Sequence, residues 1–182
     1  MKNKHLFTLF IFLFIISCKE KEKVDDKTVI FEGITVLNEY GEMISFDSDD
    51  WHLNDKFTER EKQLFDTLDF NKTAEIERVL NEGVIHMHSI IKLFPNPMNP
   101  IAHMAYYHDN HDNYIVNLVI VDNKFNKLIS HRAADIDDYY HYFRVNLEDF
   151  DYGIYRMYYV IQDEHYNIVH CGHGDIEKNV EY

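Results

Sequence analysis

The stretch LFPNPMNP, residues 93–100, contains all three prolines of this 182-residue chain. Proline lacks a backbone N–H group and holds φ near about −65°, so a segment this rich in proline cannot lie inside a sheet ladder. The residue before each proline is also biased toward extended conformations. We therefore expect an extended connection here, where a first β-strand leaves its sheet, with Asn96 and Asn99 capping the local turns.

Strand-like segments follow the prolines at roughly ten-residue spacing, with short polar turns and no helix between them. These segments are AHMAYYH, YIVNLVIV, KLISHRA, YYHYFRVNL, GIYRMYYVIQ and NIVHC, and VIHMHSIIKLF precedes the prolines. Because helical crossovers are missing, consecutive strands are expected to run antiparallel. The pattern predicts a mainly β chain whose residues 93–182 form an antiparallel β-sandwich.

Residues 28–92 read as a smaller α+β segment that packs against the sandwich. Short strands are predicted at 29–37 and 43–46, on either side of a turn in which Gly41 can take a positive φ. Two short helices should follow these strands, so the segment is expected to combine a hairpin with helices.

The first predicted helix begins at a capping box formed by Thr58 and Glu61. Its buried face would carry Leu64, Phe65 and Leu68, which recur at helical spacing. The second helix would cover residues 73–82, with Thr73 as N-cap and Gly83 just beyond its end.

The beginning of the chain has the pattern of a secretory signal. The basic start MKNK precedes the apolar run LFTLFIFLFII at residues 6–16, which would rise about 16 Å as a helix, too little to cross a hydrocarbon layer of about 30 Å. The following Ser17 and Cys18 complete a stretch that resembles a bacterial lipobox. We expect residues 1–17 to be a signal peptide, Cys18 to be lipidated, and residues 18–27 to be a polar tether.

The C-terminal half resembles a known Ig-like domain. The stretches FPNPMNP, AHMAYY, VNLVIVDNKFNKLI and VNLEDFDYGIYRMYYVIQDEHYNIVH are similar to the domain shared by type IX secretion C-terminal sorting domains and the flagellar hook-cap protein. The similarity spans residues 93–176, and its final strand NIVHCGHGDIEK stands where the sorting domains carry a lysine-rich tail. The residues that carry it are Pro95, Asn96, Pro97, Asn99, Pro100, Gly153, Ile154 and Tyr155.

This resemblance implies an Ig-like sandwich of about seven strands. A lipobox combined with such a domain also resembles lipoproteins of the Bacteroidetes phylum, which implies a place at the cell envelope, on the outer membrane. A role as a secretion-sorting module is the alternative that the resemblance itself raises.

Charge limits the partners. The formal net charge is −14, and an acidic body repels nucleic acid and anionic headgroups. We expect no nucleic-acid partner, and membrane contact through the lipid alone. With Cys18 acylated, only Cys171 remains, so no internal disulfide can form.

Two histidine groups are candidate zinc ligands. His86 and His88 would place both rings on one face of a strand, but a third ligand would have to come from elsewhere. The cluster His170, Cys171 and His173 joins a thiol to two imidazoles, although a regular strand would send the two histidines to opposite faces. Polar residues alternating on an exposed strand would explain the first pair equally well. A cysteine that points inward as a small hydrophobic residue would explain the second cluster.

Acidic turns are candidates for other chemistry. Asp135, Asp137 and Asp138, and the HDNHD stretch at 108–112, offer oxygen ligands of the kind calcium prefers, without a complete calcium-loop signature. The carboxylates around residues 148–151 could pair as in a glycosidase, or simply flank a solvated turn. Trp51 could stack on a ligand or pin a helix to the core.

The sequence contains no phosphate loop, no G-x-S-x-G and no H-E-x-x-H. We therefore expect no cofactor and no enzymatic activity, but a binding, adhesion or assembly module that recognises a protein or glycan. A metal-binding protein or hydrolase that uses zinc or calcium is the other alternative.

Overall fold

The computed structural model describes residues 28–31, 33–53, 55–73, 89–108, 113–136 and 140–179. The predicted signal peptide and the tether lie outside these residues, as does the second predicted helix except for Thr73. None of the described helices has the length and apolar character needed to pass through a bilayer.

The described chain is mainly β, with strands that pair antiparallel in three sheets. The strands are β1 (Val36–Leu37), β2 (Met43–Ser45), β3 (Ser89–Phe94), β4 (Ile101–His108), β5 (Tyr114–Val121), β6 (Lys127–Ile136), β7 (Tyr140–Asn146), β8 (Gly153–Asp163) and β9 (Ile168–Lys178), and the helix α1 is Glu59–Lys62. β1 pairs with β2, a three-stranded sheet has the order β3-β4-β7, and a four-stranded sheet has the order β6-β5-β8-β9. The prediction of a mainly β chain with antiparallel sheets is confirmed.

The two larger sheets contribute side chains to one hydrophobic cluster. Because side chains alternate along a strand, the cluster takes every second residue from Ala102 to Tyr106 of β4 and from Tyr155 to Ile161 of β8. Its members include Leu93, Met104, Tyr106 and Phe143 from the three-stranded sheet, and Leu118, Met157, Tyr159 and Ile161 from the four-stranded sheet.

The other face of the four-stranded sheet is covered by the segment that precedes β3. Val119 of β5 and Tyr158 and Val160 of β8 point into a second cluster, whose remaining members include Val29, Phe57, Leu64 and Phe65. All eight residues of β5 are therefore buried. The boundary predicted between residues 92 and 93 falls within β3.

The proline segment connects β3 to β4. The sequence predicts a connection at this place, after the strand that precedes the prolines. The segment leaves the three-stranded sheet, passes beside β9, where Met98 bridges Lys178, and returns to the same sheet at Ile101. The expectation that Asn96 caps a local turn is wrong, because its buried side chain donates to the carbonyls of Thr35 and Asp175 and accepts from the N–H of Glu177.

The helical expectation is corrected for the first helix. The capping box of Thr58 and Glu61 is present, but α1 is only four residues long. Leu64 and Phe65 are buried through turns with i→i+3 hydrogen bonds, such as Phe65 N–H to the Lys62 carbonyl at 3.0 Å. A spacing of three and four residues is satisfied by successive turns as well as by an α-helix.

The hairpin is shorter than predicted. Val36–Leu37 and Met43–Ser45 pair around the turn, and Gly41 has φ +75° as expected. Residues upstream of β1 are fixed by other contacts, among them a hydrogen bond of 2.9 Å from the Val29 N–H to the Asn123 carbonyl.

Candidate binding surface

Most of the candidate metal ligands lie outside the described part of the chain. His86, His88, Asp137 and Asp138 lie outside the described residues, as does most of the 108–112 turn. Asp135 lies in β6, but its side chain is not among those described.

His170, Cys171 and His173 all lie on β9, on alternating faces. Cys171 packs against the second cluster, and its thiol donates to the Asp55 carbonyl at 3.1 Å. His173 is on the same face, where its Nδ1 lies 3.0 Å from Asp55 Oδ2. Within the described part of the chain, no group of three or more His, Cys, Asp or Glu side chains is arranged to hold a metal ion.

Burial also sets the protonation states in this cluster. Desolvation, with smaller contributions from the charges of Asp55 and Glu61, raises the pKa of the Cys171 thiol to about 11, so at neutral pH it is a thiol and a poor nucleophile. Burial lowers the pKa of His170 to about 4, against a weaker opposing hydrogen bond with the Leu53 backbone. His170 is therefore a neutral imidazole.

The other sequence candidates have structural positions. Glu148, Asp149 and Asp151 are exposed around the turn that precedes β8. Trp51 is half-buried, with its ring parallel to that of Tyr159 at a centroid distance of 6.2 Å. It lies against Gly174 of β9, where a β-carbon would overlap the indole ring, so it contacts a strand rather than a helix.

A buried ionic group beside Trp51 was not anticipated from the sequence. Arg156 binds Asp175 through two hydrogen bonds, of 2.6 Å from Nε and 2.7 Å from Nη2. The neighbouring Asp50 accepts from the backbone N–H groups of Thr35 and Asp175. Burial raises the pKa of both carboxyl groups, against the lowering effect of their hydrogen bonds. The Asp50 carboxylate therefore links Thr35 to β9.

The most exposed apolar surface lies on the hairpin. We call it the hairpin patch and define it by four side chains, Tyr40, Met43, Ile44 and Phe46, which are 77%, 61%, 69% and 59% exposed. All three residues of β2 are exposed, and within the described chain β2 has only β1 beside it. No described element covers this patch.

The hairpin patch has an acidic surround. Glu39 and Glu42 are exposed in its turn, and Asp47 follows Phe46 directly. The Asn38 side chain organises the turn by accepting from the N–H groups of Tyr40 and Glu42. The sequence did carry a signal for an uncovered strand, because MISF has apolar residues at adjacent positions in a short hairpin where one-sided burial would need alternation.

A second surface of distinct chemistry adjoins the hairpin. We call it the outer face and define it by side chains of the three-stranded sheet that point away from the hydrophobic cluster: Lys92, Phe94, His103, Tyr142 and Arg144. Lys92 donates to the Gly41 carbonyl at 3.0 Å, so the hairpin turn borders this surface. The outer face is aromatic and basic, whereas the hairpin patch is apolar and acidic.

Comparison with known proteins yields no family assignment: no family model matches the sequence, and no curated protein matches it.

Proposed function

We propose that this chain is a lipid-anchored, extracytoplasmic protein that acts as a non-enzymatic binding, adhesion or assembly module at the cell envelope. The lipobox-like stretch that ends in Cys18 supports the anchor, and the polar residues 19–27 are suited to act as a solvated spacer. The outer membrane is the proposed location, with the body of the protein facing the periplasm or the exterior.

We further propose that the two larger sheets form an Ig-like sandwich. The strand order supports this, because the first, second and fifth of the seven strands β3–β9 share one sheet and the other four form the second sheet. Tyr155 supports it too. It lies near the start of β8, the sixth of these strands, and its hydroxyl donates to the Asp151 carbonyl four residues upstream, as in the tyrosine corner of Ig-like domains.

The single observation that carries the binding role is the hairpin patch. Apolar side chains exposed on both faces of a short hairpin leave water when a partner covers them, and exposed apolar surface of this kind marks interaction sites. The acidic residues around the patch favour a partner that combines apolar side chains with Lys or Arg. The proposed ligand of the hairpin patch is therefore a protein surface with a basic rim.

Site-specific photo-crosslinking in the native host tests this role. A photoreactive phenylalanine analogue at Tyr40 or Phe46 should give one discrete cross-linked product, and the same analogue at Tyr152, an exposed tyrosine outside the patch, should not. Adding Ile44→Asp should abolish the product formed from Tyr40. Equal labelling from all three positions, or a product that survives Ile44→Asp, would rule out the patch as the binding surface.

Fractionation tests the anchor separately. Cys18→Ser should move the protein from the membrane fraction to the soluble fraction, and mass spectrometry of the wild-type protein should find an acylated N-terminal cysteine. An unmodified cysteine would disprove the anchor without bearing on the hairpin patch.

A secretion-sorting role remains the alternative, supported by the similarity of residues 93–176 to sorting domains. It predicts that the C-terminal half is found separately in the culture medium, whereas an anchored binding module stays intact on the membrane. Immunoblotting with antibodies to each half separates the two.

A further inference from the structure

We propose that the outer face of the three-stranded sheet is a platform that binds an anionic glycan through Tyr142, Phe94 and the cations beside them. This site is separate from the hairpin patch, and it has a different ligand chemistry. Its support comes from charge, ring geometry and exposure on one sheet face.

The strands of the three-stranded sheet differ from the rest of the chain in their charge. The strands β3, β4 and β7 contain no Asp or Glu, while the chain as a whole has 32 acidic and 18 basic residues. Their charged side chains on the outer face are Lys92 and Arg144, with His103 between them. In a chain of net charge −14, a basic sheet face selects anionic ligands by charge complementarity.

The two cations have no carboxylate partner among the described residues. Arg144 is exposed and lies opposite His103 in the β4–β7 register. Within the described part of the chain, the hydrogen bond of the Lys92 ammonium goes to the Gly41 carbonyl. A guanidinium group can bind a carboxylate with two parallel hydrogen bonds, so Arg144 is free to hold a ligand carboxylate.

The aromatic rings lie between these cations. Phe94 is 6.3 Å from Tyr142 and 6.4 Å from His103, measured between ring centroids. The residue opposite Tyr142 in the register is Ala105, so β4 has only a methyl group beside the Tyr142 ring. Tyr142 remains 57% exposed, which leaves ring surface that the fold does not use.

These features favour a glycan over a peptide strand. A peptide that extends a sheet needs unpaired backbone groups at an edge, and this surface is the face of a sheet, with β4 paired on both sides. Exposed rings can instead pack against the C–H faces of sugars, and the cations can bind their carboxylates. The chemistry therefore fits a linear uronic-acid glycan.

The test uses a hexameric oligogalacturonate, its neutral methyl ester, and an alternating Glu-Tyr peptide as probes. Binding to the full-length chain carrying Cys18→Ser, which lacks the acylated cysteine, is measured by calorimetry and NMR titration. The oligogalacturonate should bind, and more weakly as salt is raised. Arg144→Gln should weaken it about tenfold, and Tyr142→Ala about fivefold. The methyl ester should bind at least about tenfold more weakly than the acid.

Matched variants serve as controls. Arg132→Gln changes an exposed arginine on β6, and Tyr152→Ala changes a tyrosine that is 54% exposed, and neither should alter the affinity. Failure of the oligogalacturonate to bind at millimolar concentration, equal binding of its methyl ester, or equal losses in the controls would overturn the proposal. So would peptide binding that depends on Arg144 while the glycan does not bind. None of these results would affect the photo-crosslinks from the hairpin patch.

Discussion

β9 and β2 both lie at the margin of a sheet, and they are treated in opposite ways. Along its outer edge β9 meets Thr73, then Asp55, Leu53 and Trp51, and then Met98. The hydrogen bonds include Trp51 N–H to the His173 carbonyl at 2.7 Å and Met98 N–H to the Glu177 carbonyl at 2.8 Å. β2 has all its residues exposed, and no described segment lies along its outer edge.

Different kinds of residue account for this contrast. Closing β9 requires the buried side chains of Asn96, Asp50 and Asp175, together with glycines at 172 and 174 that let the 51–52 backbone and ring approach the strand. A free sheet edge invites pairing with other chains. Within the described chain that hazard is removed along β9, whereas β2, which leaves apolar side chains open, is only three residues long.

The largest expected effect is at the buried ion pair on the closed side. Asp175→Ala leaves Arg156, whose side chain is 13% exposed, without its carboxylate. An unpaired buried charge should lower the free energy of unfolding by about 3–5 kcal/mol. Urea denaturation followed by tryptophan fluorescence measures the change, because Trp51 lies next to this group.

The double variant Arg156→Met with Asp175→Leu provides the control. Replacing both charges by apolar groups should recover most of the lost stability. A double variant as unstable as Asp175→Ala would mean that the backbone hydrogen bonds of Trp51, Leu53 and Asp55 with β9, and not the charge, hold the edge closed.

Asn96 gives the next largest effect. Asn96→Ala removes three hydrogen bonds and leaves buried backbone groups of Thr35, Asp175 and Glu177 without this partner, which should cost about 3 kcal/mol. Asn99→Ala, at an exposed position in the same proline segment, should change the stability by less than about 0.5 kcal/mol. Similar losses for the two would contradict the structural role of Asn96.

The pH dependence of stability offers a smaller effect. Burial raises the native pKa values of Asp50 and Asp175, so the native state binds protons more tightly than the unfolded chain, and the free energy of unfolding should fall as pH rises above about 4. Asp50→Asn should make that decline shallower, as measured by urea titrations across the range.

Two turns affect the pH dependence of stability in the opposite direction, and they do so at lower pH. Hydrogen bonds from Asn126 and Asn167 lower the pKa values of Asp122 and Asp163, outweighing partial desolvation. Their stabilisation is complete above about pH 4 and is lost as pH falls through the lowered values. Asp50→Asn should leave this loss of stability at low pH unchanged. A changed loss would show that Asp50 is coupled to Asp122 and Asp163.

The smallest expected effect on stability is on the open side. Ile44→Asp should change the free energy of unfolding by less than about 0.5 kcal/mol, while removing the photo-crosslinks from the hairpin patch. The same substitution at Ile91, which is 4% exposed, should instead destabilise the fold by several kcal/mol, of the order of a buried unpaired charge. A strongly destabilised Ile44→Asp protein would mean that the patch is part of the core.

Local features of this fold could be predicted from the sequence. Alternation located the strands of the two larger sheets, and polar composition located the short turns between them. In two of these turns Asp122 and Asp163 accept from the backbone two and four residues further on. The predicted helix failed at Leu64 and Phe65 because their spacing specifies a buried face without specifying which kind of turn produces it.

Long-range contacts could not be predicted in the same way. Asp50 meets Asp175 across 125 positions, and Asn96 meets Asp175 across 79, and no local pattern selects such partners. Gly172 and Gly174 were a usable signal, since glycines at alternate positions in a strand indicate close approach of another segment. The adjacent apolar residues of MISF were likewise a signal that β2 is uncovered, although the sequence does not show which segments leave it uncovered.

The hydrogen bonds at Val29 and Ile30 have a mechanical consequence if the chain is tethered at Cys18. Val29 N–H binds the Asn123 carbonyl, and Arg156 binds the Ile30 carbonyl while holding Asp175 on β9. Tension applied through the tether would enter the four-stranded sheet at this point and spread across β8 and β9 before it reached the hairpin. A partner held at the hairpin could therefore stay engaged while the anchor is pulled.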